Sequence, residues 1–294
     1  MFCYSNSRDK NPVKKILITG GTGFVGRQIV RSLSKKNVEI TLVVRSGKEN
    51  AVKNIASVKK VISSRDIFVE SRQWWANACE GIDTVVHAAW YVEPGQYLES
   101  EKNADCLIGS IELIRGAAYA KVRKFVGIGT CFEYELSASR LSIQTPLKPL
   151  TTYAAAKTAL FTFCSSYLPG RGTDFAWCRL FYLYGEGEDE RRLVPYVRGK
   201  ISKGEVAELT SGKQIRDYLD VSQAGEQIAE IALGRKVGAV NICSGLATTV
   251  RDLAEKIADE YGRRDLLSFG RKDENLAEPP CVYGEPMNNP KSPK

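Results

Sequence analysis

The chain has 294 residues, 43% of them hydrophobic and 26% charged, with a formal charge of +8 and a single histidine, His87. That length supports a large core in one or two lobes, and the composition is that of an ordinary globular protein. No apolar run approaches the ~20 residues of a membrane helix, so a membrane partner is not expected.

The N-terminal stretch MFCYSNSRDKNP lacks the apolar centre of a signal peptide, which argues against export. Eight cysteines are scattered without a C-x-x-C pair, several of them in apolar runs, as for reduced core thiols in a cytoplasmic protein. The basic residues are dispersed and never interleaved with aromatics. Small anionic ligands fit that pattern better than nucleic acid. His87 has no neighbours at zinc-ligand spacing, so no metal is expected.

Residues 1–12 read as a flexible tail. Lys14–Thr19 predicts a strand, and Gly20, Gly23 and Gly26 follow at G-x-x-G-x-x-G spacing before a helix over Phe24–Lys36. Strand, glycine turn and helix in that order form the phosphate-binding entry of a dinucleotide fold. Gly20 allows the turn, Gly23 lets a pyrophosphate approach, and Gly26 lets the helix pack on the strand. The helix N-terminus supplies free N–H groups.

Val38–Val44 predicts the second strand, with Arg45 just past it. An acid there would bind the ribose 2′-hydroxyl of NAD, whereas Arg45 suits the 2′-phosphate of NADP. A solvated loop arginine is the plainer alternative, and NAD remains the second coenzyme reading. Asp66–Ile67 is placed to meet an adenine amino group and ring, although an exposed loop acid has the same sequence appearance.

Gln73–Cys79 predicts a helix and Asp83–Ala89 a strand that ends in small residues, with His87 read as a packed core histidine. Glu99–Ala120 and Thr152–Leu168 predict helices, and Lys124–Gly129 and Phe175–Arg179 strands. This alternation predicts an α/β fold, a Rossmann doubly wound parallel sheet over residues 13–178.

Beyond Arg179 the pattern is irregular. Helices are expected at Leu193–Lys203, Ser222–Leu233 and Thr249–Tyr261. Strands are expected at Val206–Leu209, Ile215–Val221 and Ala239–Ile242. Residues 179–294 therefore read mainly as a smaller substrate-binding lobe, with about 214–242 returning to the first domain. The proline-rich end from Glu285 is not expected to be helical.

Tyr153 and Lys157 stand four apart on one helix and share a face. An ammonium beside a phenol favours its ionised form, so the pair is expected to exchange a proton with a carbonyl or alcohol oxygen. Thr130, at the end of its strand, has a hydroxyl suited to the same oxygen, or to capping the strand end. Glu133 and Glu135 are close by, but alternate residues of an extended segment point in different directions.

The motifs TGGTGFVG at 19–26, HAA at 87–89, GTCFEY at 129–134, YAAAK at 153–157, RLFYLYG at 179–185 and QIRDYLDV at 214–221 carry a resemblance. The chain resembles the extended short-chain dehydrogenase/reductases, specifically the nucleotide-sugar epimerase/dehydratase/reductase family. The resemblance implies that Tyr153 is the catalytic acid/base, Lys157 its partner and Thr130 the third member. It places Gly20, Gly23, Phe24, Val25, Gly26, Asp66, Ile67, Ala88, Ala89, Tyr153 and Lys157 against the coenzyme, with Arg45. It places Arg216, and a second arginine, Arg271, at the substrate diphosphate. Arg192 and Leu193 fall at the nucleotide, and Trp90, Thr130 and Cys131 in the sugar pocket. A homodimer through Glu99–Ala120 and Thr152–Leu168 is also implied.

Four departures stand out. The Asp-Glu pair of the family's dehydratases is Cys131–Phe132 here, which argues against 4,6-dehydration. A supporting asparagine is replaced by Cys106, and the asparagine of R-x-x-N-x-Y-G by Tyr182. The family's closing L-G-W segment and terminal helix are missing, which predicts a smaller lobe. The expectation is an NADPH-dependent reductase of a nucleotide-linked 4-keto-6-deoxy sugar. The alternatives are an NAD-dependent 4-epimerase and a non-catalytic NADP-binding regulator.

Overall fold

The computed structural model describes residues 13–137, 140–274 and 279–287. The expected tail at 1–12, with Cys3, and most of the proline-rich end lie outside the described residues. Seven strands make the main sheet, numbered here in chain order: β1 Lys14–Thr19, β2 Val38–Arg45, β3 Val58–Ser64, β4 Thr84–His87, β5 Lys124–Thr130, β6 Asp174–Leu180 and β7 Gly238–Ile242. Their order in space is β7-β6-β5-β4-β1-β2-β3, and every pairing is parallel. Both faces of such a sheet are buried, so its strands are near-continuous apolar runs such as Ile16–Ile18 and Val85–Val86.

The described residues contain seven α-helices: α1 Phe24–Leu33, α2 Arg72–Ala78, α3 Lys102–Tyr119, α4 Thr152–Tyr167, α5 Leu193–Ser202, α6 Val221–Leu233 and α7 Val250–Asp259. Helices α1 and α6 cover one face of the sheet around Ile29, Leu33 and Ile228. Helices α2, α3 and α4 cover the other around Trp75, Leu113 and Leu160. Residues of α6 and β7 thus belong to the main sheet's layers, although they follow the irregular segment in the chain. A third cluster joins α5 and α7 through Val197, Ile201 and Ile257.

The element bounds differ from the expected ones mostly at their ends. Helix α1 stops at Leu33, with Ser34 as its cap, rather than running to Lys36. Helix α3 begins at Lys102, because residues ahead of it form the loop that docks on α4. The strand expected over Ile215–Val221 is two strands in two different sheets, Ile215–Arg216 and Tyr218–Asp220. Asp217 divides them. Its buried carboxylate accepts from Ser244 N (2.7 Å), Ser244 Oγ (2.7 Å), Gly245 N (2.9 Å) and Gly284 N (3.2 Å). Four donors on one carboxylate hold the backbone in its crossing between sheets. The strand Cys281–Gly284, paired with Ile215–Arg216, was not expected.

The chain runs from β1 to β3 toward one edge of the sheet and from β4 onward toward the other. The crevice at the C-terminal ends of β1 and β4 is therefore the topological switch point where open α/β sheets bind ligands.

Candidate active site

The glycine loop lies in that crevice. Gly20 has φ +70°, and a Cβ on it would stand 2.6 Å from Ala89 N. A Cβ on Gly26 would stand 2.0 Å from the Gly20 carbonyl oxygen. The loop is thus wedged between Ala88–Ala89 and its own helix, with no room for side chains at either position. Helix α1 opens at Gly23 with no side-chain cap and no acid in its first turn. Its N–H groups at Phe24, Val25 and Gly26 remain for an anion, which fits a coenzyme pyrophosphate.

Arg45 is exposed at the end of β2. Among the described residues its side chain makes no hydrogen bond or ion pair. Asp66 is exposed and accepts Phe68 N–H at 2.9 Å, a local turn, and Ile67 packs against the α2–α4 core. His87 is a buried structural residue between Thr19 Oγ1 (2.7 Å) and Ser110 Oγ (2.8 Å). Burial first, and Lys157 second, hold its pKa down at about 3.

A cavity of about 640 Å³ opens beside the loop, lined both by ends of the main sheet and by residues of the segment around α5 and Ile215–Arg216. That size is typical of small-ligand sites. Its wall brings together Phe24, Thr130, Cys131, Tyr153, Arg192, Leu193 and Arg216, which come from segments far apart in the chain. Arg271 stands apart. It is exposed, its backbone N–H donates to the Leu209 carbonyl (3.0 Å), and it is not part of the cavity wall.

Tyr153 and Lys157 are placed by α4, whose first turn is capped by Thr151. Burial raises the pKa of the Tyr153 phenol above the ordinary tyrosine value, and the neighbouring Thr130 side chain, which favours ionisation, is outweighed. The expectation that the Lys157 ammonium favours the ionised phenol is therefore corrected. Lys157 Nζ is 6.0 Å from the Tyr153 ring centroid and donates instead to the Ile128 carbonyl at 2.8 Å. Burial lowers the Lys157 pKa itself to about 7, against the pull of Glu133 and Cys106.

Thr130 ends β5 and caps a short 3-10 turn, Cys131–Glu133. That turn sends Glu133 inward, where it is fully buried, and Glu135 outward to an ion pair with Lys148 at 3.0 Å. Glu133 accepts Thr130 N–H (2.9 Å), Trp177 Nε1 (2.9 Å) and Arg179 Nε (2.7 Å). The Thr130 backbone is thereby tied to β6, a role the sequence reading did not assign.

Arg216 is buried, its Nη1 donates to the Ile215 carbonyl (2.9 Å), and its guanidinium lies over the Tyr182 ring at 5.2 Å. Phe132, Tyr182 and Tyr218 form an aromatic wall, with ring centroids 6.2 and 6.0 Å apart. Burial raises the Cys131 thiol to about 12, so it lines the cavity as a neutral apolar group.

A doubly wound sheet with an anion-binding glycine loop at its switch point, next to a cavity walled by Thr130 and Tyr153 with Lys157 on the same helix as the tyrosine, defines an NAD(P)-dependent oxidoreductase of the extended short-chain dehydrogenase/reductase type. Residues 16–243 match the model of the NAD dependent epimerase/dehydratase family, and the chain belongs to that family. It is similar to dTDP-6-deoxy-L-talose 4-dehydrogenase (NAD(+)) of Aggregatibacter actinomycetemcomitans, 22% identical over 84% of this chain and 90% of that one. It is also similar to dTDP-glucose 4,6-dehydratase of an Actinoplanes species, 26% identical over 84% and 82%. Among solved structures, the UDP-N-acetylglucosamine 4-epimerase of Methanobrevibacter ruminantium M1 in complex with UDP-N-acetylmuramic acid superposes with a TM-score of 0.82. It is 22% identical, over 94% of this chain and 90% of that one. Among the described residues no helix is long and apolar enough to cross a membrane.

Proposed function

We propose that the chain is an NADPH-dependent reductase of a nucleotide-linked 4-keto-6-deoxy sugar, able to run in reverse as a 4-dehydrogenase. The observation that carries this reading is the single cavity that has Thr130 and Tyr153 on its wall together with the buried Arg216. A sugar carbonyl meets the two hydroxyls while its diphosphate meets the guanidinium, whose fork suits bidentate bonds to phosphate. Cys131 and Phe132 offer no carboxylate for removing water. The aromatic wall of Phe132, Tyr182 and Tyr218 favours a methyl group over a hydroxymethyl at the sugar's C6. The name of the talose relative describes the same redox step, written in the oxidative direction.

In this mechanism Thr130 polarises the carbonyl and Tyr153, which burial keeps protonated, gives its proton to the oxygen. The bound coenzyme supplies the hydride. Lys157, one turn further along the same helix, would hold the nicotinamide ribose. A homodimer through α3 and α4 belongs to the same reading, supported by exposed Ile108 on α3 and exposed Ala155 and Ala159 on α4. So does a cytoplasmic location, supported by the buried free thiols.

Mixing the protein with NADPH and a panel of nucleotide 4-keto-6-deoxy sugars is expected to consume one NADPH per sugar reduced, as read by coenzyme absorbance and product NMR. Turnover of a 4-hydroxy nucleotide sugar with no coenzyme added is the result expected of a 4-epimerase, and it overturns the reductase reading. Arg45→Glu is expected to lower the preference for NADPH over NADH by roughly tenfold or more, because a carboxylate would face the 2′-phosphate. An unchanged ratio of kcat/KM values removes Arg45 from coenzyme choice.

A further inference from the structure

We propose that Asn103 is the positioning residue of this active site: one buried amide that sets both members of the Tyr153–Lys157 pair, through Trp90 on one side and the Tyr97–Ser100 segment on the other. The inference rests on the reading of that pair as catalytic.

Asn103 lies in the first turn of α3 and is completely buried. Its Oδ1 accepts the Trp90 indole N–H at 2.9 Å. Its Nδ2 donates to the carbonyls of Tyr97 (2.6 Å) and Ser100 (2.9 Å). An indole nitrogen only donates and a carbonyl only accepts, so the amide has one orientation that satisfies all three partners. No other residue type of that size supplies one acceptor and two donors in this arrangement.

Each arm ends on a catalytic residue. The Trp90 ring lies over Lys157 Nζ at 3.7 Å and meets the Tyr153 ring edge-on at 6.5 Å. The Leu98 carbonyl accepts Tyr153 N–H at 2.9 Å, and the Glu99 carboxylate accepts Thr152 N–H (3.2 Å) and Oγ1–H (2.8 Å). These acceptors satisfy N–H groups at the start of α4 that have no partner within the helix. The Tyr97 ring stands against the Tyr153 ring, 4.9 Å between centroids at 85°. One amide thus fixes the loop that holds the start of α4 and the indole that covers the ammonium.

The sequence offers a reason for this device. Cys106 stands where the family resemblance places a supporting asparagine. Asn103 precedes it by three residues, on the same buried face of α3. The support is displaced by one helical turn and acts through an indole.

The groups facing Lys157 make Trp90 matter. Burial opposes its charge, Glu133 and Cys106 favour it, and the buried His87, whose own pKa is lowered by burial and by Lys157, is neutral. Tyr153 is 6.0 Å away and protonated. An aromatic face in contact with a desolvated ammonium favours the charged form.

The test is the titration of Lys157 in the full chain, by NMR of lysine labelled with ¹³C at Cε, with the resonance assigned by its absence in Lys157→Arg. The wild-type midpoint is expected near 7. Trp90→Leu, which removes the aromatic face, is expected to lower it by about one pH unit. Asn103→Ala is expected to shift it in the same direction, and the double variant no further than Trp90→Leu alone. A folded Asn103→Ala protein with an unshifted midpoint overturns the proposal. If Asn103→Ala does not fold, Trp90→Phe decides, because it keeps a ring but loses the indole N–H. A midpoint displaced toward that of Trp90→Leu supports the tether, and a wild-type midpoint overturns it. The titration needs no sugar substrate, so failure of the reductase reading would show instead as a wild-type protein without turnover.

Discussion

Tyr153→Phe is expected to lower kcat for reduction of a nucleotide 4-keto sugar by at least about 10²-fold. The substitution removes only the hydroxyl. The ring keeps its edge contacts with Tyr97 and Trp90, and the backbone N–H keeps the Leu98 carbonyl. Burial raises the phenol's pKa, so at neutral pH the hydroxyl carries a proton and serves as donor when hydride reaches the carbonyl carbon. Without it, negative charge develops on the oxygen with only Thr130 to meet it. NADPH affinity, read by fluorescence titration, is expected to be unchanged, which separates loss of proton transfer from loss of coenzyme binding. A kcat within a fewfold of wild type would remove Tyr153 from the proton-transfer step.

The largest stability effect is expected at Glu133. This carboxylate and the Arg179 guanidinium form a 2.7 Å ion pair with side-chain exposures of 0% and 2%. The guanidinium is also enclosed by the Tyr134 and Phe161 rings, each centroid 4.6 Å away. Glu133→Ala leaves that cation buried without its anion, which costs about 3–5 kcal/mol. Urea unfolding is expected to show a loss of that size, with kcat falling as well because the Thr130 N–H loses its acceptor. Adding Arg179→Met to Glu133→Ala is expected to recover part of the stability, since no uncompensated charge then remains. It is not expected to recover kcat, because Thr130 still lacks its anchor. A loss below about 1 kcal/mol for Glu133→Ala, the range of surface pairs, would show that the pair is solvated in solution.

Glu133 also marks where sequence reasoning reaches its limit. Its neighbours in the chain suggest an extended segment with alternating side chains. The 3-10 turn changes that direction, and its partners Trp177 and Arg179 lie on β6, more than forty residues away. Asn103 is similar: in sequence it is a polar residue near a helix start, and its importance comes from Trp90 and Tyr97 in a loop that folds back on it. Arg216 was legible only through family resemblance, because a two-residue strand beside a buried aspartate has no period to read. The expected role of Lys157 as the group that acidifies Tyr153 did not follow from their i, i+4 spacing. Shared helix faces bring two side chains near, but burial and the Ile128 carbonyl determine where the ammonium points and how each group ionises.

The sequence by itself determined the alternation of buried parallel strands and helices, the glycine turn after β1, and the pairing of Tyr153 with Lys157 on one helix. Each of these follows from interactions within a few residues: the 3.6 and 2.0 periodicities, the φ +70° that Gly20 adopts, and the free N–H groups at the start of α1. Tertiary structure alone decided that Thr130, Tyr153 and Arg216 share one cavity and that Arg271 does not line it. It also decided that Glu133 is a buried anchor rather than a free carboxylate, and that the Asn103 amide joins Trp90 to the Tyr97–Ser100 segment. Those outcomes depend on which distant segments exclude water from a given side chain, and burial of that kind is a property of the packed chain, not of any local stretch of it.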